Sequence, residues 1–283
     1  MTKRPMPWTC RTRTLETGVR TLVMGILNVT PDSFSDGGRF ADPAAAVAQG
    51  RALLAAGADL LDVGGESSRP GAQPVSVEEE LRRVIPVVEI LVRETGAVVS
   101  VDTTKARVAE EAVAAGAEIV NDVSAFRFDP RLAEVAARTG AGLVLMHMRG
   151  TPADMQREPV YADVVAEIAA FLRERGEAAR RAGVRESALV YDPGIGFGKT
   201  LEHSLAILRR LPEFAALGRP LLVGPSRKAF IGTLLDGLPP GQRLEGTAAA
   251  VALAIAGGAA LVRVHDVKEM GRVARVADAI ARG

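Results

Sequence analysis

The sequence predicts an α/β fold: a single-domain (β/α)8 TIM barrel, with a short N-terminal hairpin covering the barrel bottom. Three observations predict it. Eight short apolar runs alternate with longer amphipathic stretches along the chain. The short runs lack clean period-2 alternation, as strands covered on both faces should. Eight strand–helix units in roughly 250 residues is the usual size of such a barrel, with parallel strands and right-handed crossovers. An open doubly wound sheet is the alternative that the same alternation allows.

Residues 1–20 read as an N-terminal extension and residues 21–283 as the barrel. In the extension, Trp8 to Leu15 is expected to form a hairpin through Glu16-Thr17-Gly18 and to close the mouth opposite the chemistry. The expected strands are 21–27, 60–63, 98–101, 118–120, 142–146, 188–191, 220–223 and 260–264. Helices fill the gaps. Asp42-Pro43 is an N-cap with proline at the first helical position, and Gly57 ends that helix. Ser76 and Glu79 have capping-box spacing before Leu81, Val84, Ile85, Val88 and Leu91, and Pro86 should kink that run. Asp129-Pro130 repeats the cap-proline start. Val164, Val165, Ile168, Phe171 and Leu172 share one helical face.

Bulk properties exclude several function classes. Lys plus Arg is 35 against 34 for Asp plus Glu, a neutral balance that argues against a general nucleic-acid or anionic-membrane binder. The hydrophobic fraction, 48 %, supports a sizeable core. The most apolar stretch, Thr247 to Val262, is Ala-rich, broken by Gly257-Gly258 and too short to span a bilayer. It is expected to pack between the barrel and another surface, a second subunit being one candidate. Cys10 is the only cysteine, so no internal disulfide forms and a cytoplasmic location is expected.

The strongest functional signal is positional. The strand runs end in Asn28, Gly64-Gly65-Glu66, Asp102, Asn121-Asp122, Met146-His147, Asp192, Gly224 with Ser226-Arg227-Lys228, and Arg263 with His265. In a barrel these ends surround one mouth, where barrel enzymes keep their sites. One polar residue after a strand is ordinary loop chemistry; eight in register imply a shared site. Two long loops, Asn28 to Gly38 and Gly64 to Ala72, read as lids, with Phe34 and Arg69 to press onto a ligand.

Other patterns carry less. Pro193-Gly194-Ile195-Gly196-Phe197-Gly198-Lys199-Thr200 fails as a phosphate loop, since Pro193 stands where the first Walker glycine belongs. It reads as a close-approach turn, with Phe197 over the pocket, Thr200 capping the next helix and Lys199 solvated. His147, His203 and His265 lack zinc-ligand spacing, and His203 reads as a surface residue. Arg263 and His265, two apart on a strand, point the same way and suit an anion.

Taken together, the runs Gly25 to Gly38, Gly64 to Ala72, Ser100 to Thr103, Asn121 to Ser124, Met146-His147, Asp192 to Lys199, Ser226 to Lys228 and Arg263 to Asp266 resemble the dihydropteroate synthase family. They extend from the first strand to the last. The first, second and sixth are long enough to be highly specific. The resemblance implies a magnesium-using homodimer that joins 4-aminobenzoate to 6-hydroxymethyl-7,8-dihydropterin diphosphate, releases pyrophosphate for folate synthesis and is the target of sulfonamides.

It also implies a division of labour. Asp102, Asn121, Met146, Asp192, Phe197, Gly224, Lys228 and Arg263 would bind the pterin, with the Asp192 carboxylate on its paired N–H edge. Asn28, Arg69, Arg263 and His265 would take the diphosphate, with Asn28 the direct Mg2+ ligand and Asp32 and Asp36 nearby. Phe34, Ser68, Pro70, Phe197 and Lys228 would hold the aminobenzoate. Asn28, Asp36, Arg69, Lys228, Arg263 and His265 form the expected catalytic set. Ser68 stands where the family commonly has Thr, and its hydroxyl is kept. A folate-dependent methyltransferase domain would share Asp102, Asn121 and Asp192 but need no diphosphate residues. A silent paralogue would have lost loop residues. A Schiff-base aldolase would need Lys228 depressed, whereas the pocket carboxylates are expected to keep it protonated.

Overall fold

The computed structural model describes residues 5–30, 42–69 and 71–283. β1 (Met6–Thr9) and β2 (Thr14–Thr17) pair antiparallel as a hairpin. The barrel strands are β3 (Leu22–Asn28), β4 (Leu60–Gly64), β5 (Val99–Asp102), β6 (Ile119–Asp122), β7 (Gly142–Met146), β8 (Leu189–Asp192), β9 (Leu222–Val223) and β10 (Leu261–Val264). They pair in parallel in the order β8-β7-β6-β5-β4-β3-β10-β9, and a parallel bridge between Tyr191 and Leu221 brings the two ends together. That closure rules out the open sheet. Helices between strands are α1 (Pro43–Ala55), α2 (Val77–Thr95), α3 (Ala106–Ala114), α4 (Leu132–Thr139), α5 (Val164–Arg181), α6 (Leu201–Arg209), α7 (Leu211–Ala215), α8 (Ala229–Leu234), α9 (Leu244–Ala256) and α10 (Val267–Arg282).

Alternation along each strand sorts the side chains. Val23, Leu27, Leu61, Val63, Val99, Val101, Leu143, Leu145, Val262 and Val264 face outward and pack with the helices in the main core. Leu22, Met24, Leu60, Val98, Ile119, Val144, Val190, Leu222 and Leu261 face inward and fill the lower barrel. Trp8 and Cys10 of the hairpin seal that lower layer, and the Trp8 indole donates to the Ala188 carbonyl at 2.8 Å. Continuing the same phase upward brings Asn28, Asp102, Asn121, Met146, Asp192, Gly224 and Arg263 to the inner face at the C-terminal ends.

Local chemistry agrees with most expected caps. The Asp42 carboxylate accepts from the Ala44 N–H at 2.9 Å ahead of Pro43, and the Ser76 hydroxyl accepts from the Glu79 N–H at 3.2 Å. α2 runs on through Pro86 as one helix. Two boundaries differ from expectation. The hairpin turns at Cys10–Arg13, where the Cys10 N–H donates to the Arg13 carbonyl, so Glu16 and Thr17 belong to β2. α4 starts at Leu132 after a turn that opens at Asp129-Pro130; the Asp129 carboxylate accepts there from the Arg131 N–H at 3.2 Å and also from the first N–H of α3, at Ala106 (3.0 Å).

Candidate active site

One carboxylate inside β4 organises the mouth. Asp62, fully buried, lies between Leu61 and Val63 and faces inward. Its Oδ2 accepts from Arg263 Nε at 2.6 Å and from the Asn121 amide at 2.8 Å. Arg263 Nη2 also donates to Asp102 at 2.8 Å. Three of the expected pterin residues, Asp102, Asn121 and Arg263, are thus fixed to one another through a fourth that the strand-end reading passed over. A charged residue inside an otherwise apolar strand was the available signal, since burial of a charge is tolerated only with partners. Asp62 Oδ1 and Ser100 Oγ, on register-paired residues of β4 and β5, are buried with no hydrogen-bond partner among the described residues.

Charge crowding shifts these groups. Burial pushes the Asp102 carboxyl up to about 7, against the pull of Arg263, with Asp62 and Glu80 adding to the rise. Burial likewise raises Asp192, opposed by Lys228. Lys228 is pushed down to about 8 by burial, with Asp192 pulling it back up and Arg263 lowering it further. Desolvation outweighs the pocket carboxylates in that shift, yet a value of about 8 still leaves Lys228 mostly protonated at pH 7, as expected. Arg227 is turned aside into a pair with Asp266 at 2.5 Å.

Asp192 ends β8 beside Met146 in register, and its Oδ1 accepts from the Gly194 N–H at 2.7 Å. The turn that follows puts Phe197 against a cluster of Val123, Met146, Met148 and Met155. The Lys228 ammonium sits 4.5 Å from the centre of the Phe197 ring and donates to the Ile195 carbonyl. Gly224 faces Arg263, whose Cβ would be 3.6 Å from a Cβ placed there. This assembly has an apolar wall, a ring of buried donors and acceptors, and a cation over an aromatic face, which suits a flat polar heterocycle.

Toward the rim, His265 Nδ1 lies 3.0 Å from the Ser226 hydroxyl, which also accepts from the His265 N–H at 3.2 Å. Burial pushes His265 down to about 4, with Arg227, Arg263 and Arg69 adding repulsion. Arg69 is thereby within electrostatic reach of His265, although its own side chain is exposed. Ser68 lines a small cavity with Asp102, Thr103 and Lys105. Asn28 closes β3 opposite Gly64. Phe34, Asp32, Asp36 and Pro70 lie outside the described residues. Among the described residues, no group of three or more His, Cys, Asp or Glu is placed to hold a metal ion, and no helix is long and apolar enough to cross a membrane.

Several polar residues behave differently from expectation. Lys199 is buried, not solvated, and its ammonium meets His147 Nδ1 at 3.0 Å and the Phe197 carbonyl at 2.8 Å. His203 is no free surface group: its Nδ1 accepts from the Thr200 N–H while Thr200 caps α6, and its ring packs edge-on to Tyr161 at 4.9 Å. Glu66, one of the strand-end residues, ties down the second loop through a partly buried ion-pair cluster with Lys105 and Glu80, two residues the strand ends do not mark. Lys105 Nζ donates to Glu66 at 2.5 Å and to Glu80, and Glu66 also accepts from the Val75 N–H at 2.9 Å.

Comparison with known proteins agrees with this arrangement. The family model described as pterin binding enzyme matches residues 24–265. A dihydropteroate synthase of Synechocystis is 49% identical over 265 residues, covering 94% of this chain and 92% of that protein. Among solved structures, the Xanthomonas albilineans dihydropteroate synthase with 4-aminobenzoic acid superposes with a TM-score of 0.91 at 49% identity, covering 98% of both chains. The same enzyme in complex with 7,8-dihydropteroate gives a TM-score of 0.87 at 47% identity, covering 97% of this chain and 98% of that one.

Proposed function

Because the chain belongs to the pterin-binding enzymes, and within them to the dihydropteroate synthases, we propose that its barrel mouth condenses 6-hydroxymethyl-7,8-dihydropterin diphosphate with 4-aminobenzoate, giving 7,8-dihydropteroate and pyrophosphate. The observation that carries this reading is the linked set Asp62, Asp102, Asn121 and Arg263, facing Asp192 and Lys228 across one hollow.

Asp192 accepts from the paired N–H edge of the pterin, and Asp102 and Asn121 take its other polar atoms. Met146 and Phe197 wall the ring. Arg263, pinned by two carboxylates, is held flat for stacking and reaches toward the diphosphate. The reaction is a dissociative substitution. The C–O bond to the diphosphate breaks first, and the electron-rich dihydropterin delocalises the resulting cation. Arg69, Arg263 and His265 stabilise charge growing on the leaving group. His265, neutral in the free site, can donate a ring N–H to the oxygens of the leaving diphosphate. The two long loops exclude water that would capture the cation. The arylamine, neutral at pH 7, attacks without a strong base. Ser68, Phe197 and Lys228, with Phe34 and Pro70, hold the aminobenzoate.

Magnesium fits the donor chemistry here: it takes oxygen ligands, keeps waters and leans on substrate phosphate, so a single amide oxygen from Asn28 suffices. When bound it would neutralise diphosphate charge. The chain is expected to form a homodimer. Leu253, Val276 and Ile280 are exposed at 62%, 62% and 82% on the packed pair α9 and α10, an apolar face that a second copy would cover. A cytoplasmic location accords with the one buried, unpaired cysteine.

The test is incubation with both substrates and magnesium, following pyrophosphate. Release that requires 4-aminobenzoate and stops with a chelator supports the reading. Release that is no faster with aminobenzoate and yields no dihydropteroate, or no release at all, overturns it. Light scattering at micromolar concentration checks the dimer.

A further inference from the structure

The turn after β8 carries two pocket groups, the Phe197 ring and the Ile195 carbonyl that receives Lys228. Its two ends are held differently. The N-terminal end is held by Asp192, whose carboxylate accepts from the Gly194 N–H at 2.7 Å. The C-terminal end is held by Lys199, which reaches back under the turn. Lys199 is only 4% exposed. Its nitrogen lies 2.8 Å from the Phe197 carbonyl, 3.0 Å from His147 Nδ1 and 3.3 Å from the His147 carbonyl. An ammonium has three protons, and three acceptors surround this one. None of them is a carboxylate.

The packing around this contact leaves little slack. Gly194 and Gly198 have φ of +67° and +62°, and a Cβ on either would overlap the carbonyl of His147 or of Arg149. The turn is therefore pressed against the segment that follows β7, and Lys199 is the side chain that stitches the two. Burial pushes Lys199 well below the usual lysine range, with Lys228 adding to the fall and Asp192 opposing it. Burial and the neighbouring Lys199 also push His147 down to about 2, so its ring is neutral and in the Nε2–H tautomer Nδ1 accepts from Lys199.

We propose that Lys199 is a positioning residue: by joining the end of β7 to the Phe197 carbonyl, it sets the Phe197 ring, and through it the aminobenzoate side of the pocket. The inference rests on the synthase reading above for the identity of the substrate, and on geometry alone for the tether. Asp192 and Gly194 stay anchored without Lys199, so loss of the tether separates the two substrates. Both substrates touch Phe197, but the pterin keeps its polar anchors at Asp192, Asp102 and Asn121 outside the loosened end, whereas the aminobenzoate depends on that end.

Lys199→Met keeps the chain length and removes the donors. The expected result is a KM for 4-aminobenzoate raised about tenfold, the effect of roughly 1.4 kcal/mol. Affinity for the free dihydropterin and kcat should change by less than about threefold. Lys199→Gln, which retains N–H donors, should fall between the two and stands in if the Met variant does not fold. Hydrogen exchange supplies a readout independent of the reaction: protection is expected to drop at residues 195–198 and to persist at 189–194. An unchanged aminobenzoate KM with a lowered melting temperature would make Lys199 merely structural and overturn the proposal. Equal losses for both substrates, or unchanged protection at 195–198, overturn it too. If the unaltered chain releases no pyrophosphate, the substrate assignment falls, and the exchange pattern still decides the tether.

Discussion

The two ends of the barrel interior are built from the same strands a few residues apart, yet they follow opposite rules. At the lower end, Leu22, Met24, Leu60, Val98, Ile119, Val144, Val190, Leu222 and Leu261 close around Trp8 and Cys10. The polar group at the centre of that plug is satisfied, the Trp8 indole donating to the Ala188 carbonyl. At the upper end the inward positions carry Asp62, Asp102, Asn121, Asp192 and Arg263, with Lys228 behind them. Burial raises Asp102 and Asp192, and Asp62 Oδ1 and Ser100 Oγ have no partner among the described residues. The lower end is arranged to stabilise the fold. The upper end holds polar groups at a cost, which only a ligand with matching donors removes.

The sharpest break of this contrast comes from Trp8→Ala. Removing the largest side chain of the lower plug leaves a cavity and should destabilise the protein by about 3–5 kcal/mol. Activity per folded molecule should stay within about twofold. Urea unfolding read beside steady-state kinetics checks both, and a parallel loss of kcat/KM would mean the two ends are not separable. Asp192→Ala is the mirror case. Pterin affinity should weaken by about 2–4 kcal/mol, the loss of a charged bidentate contact. Stability without ligand should hold or rise, because a desolvated carboxyl is gone. Calorimetry of pterin binding with thermal unfolding of the free protein decides it.

How much of this contrast is legible in the sequence depends on what each residue's partners are. The upper ring is legible because polar residues sit at or next to the last inward position of each strand: Asn28, Asp102, Asn121 and Asp192 end their strands, and Arg263 lies one residue before the end of β10. Asp62 has no such mark, being enclosed by Leu60, Leu61 and Val63, and its role depends on Arg263, two hundred and one residues away in the chain. Lys199 is harder still. Its acceptors are a ring nitrogen and main-chain carbonyls, which every sequence contains, so a glycine-rich run ending in lysine reads as solvated. The hairpin turn was misplaced for a related reason. Gly18 does take a positive φ of 84°, but it follows β2 instead of making the turn, which Cys10 and Arg13 close with a main-chain bond.

Acid separates the ends further. His147 belongs to the upper end, and its pKa is pushed from 6.5 down to about 2 by burial and by Lys199. Below pH 6.5 the unfolded chain takes up a proton that the folded chain refuses. More protons are bound in the unfolded state, so stability falls as pH drops through that window, by up to about 1.4 kcal/mol per pH unit. The lower plug has no such group, since burial pushes its thiol, Cys10, up to about 12. The difference in unfolding free energy between the unaltered protein and His147→Asn should therefore shrink or reverse in favour of the variant between pH 6 and pH 4. A difference that is flat with pH would sink the claim that this imidazole is held neutral.

The smallest effect comes from adding one methyl group to each end. Ser68→Thr adds a methyl beside a cavity shared with Asp102, Thr103 and Lys105, at a half-buried site on a loop. The hydroxyl is kept and the added carbon has room, although β-branching narrows the side-chain rotamers. The expected shift in the KM for aminobenzoate is within about twofold, or less than about 0.5 kcal/mol, with no change in stability. Gly142→Ala adds the same carbon at the foot of β7, where its Cβ would lie 3.1 Å from both Cys10 Sγ and Trp8 Nε1. Neither neighbour can retreat, because both are buried against the strand ends, so overpacking should remove about 1–3 kcal/mol of stability and leave the KM alone. If the rim tolerates its methyl no better than the floor does, dense packing is not confined to the lower end, and the division between a stabilising floor and an accommodating mouth is wrong.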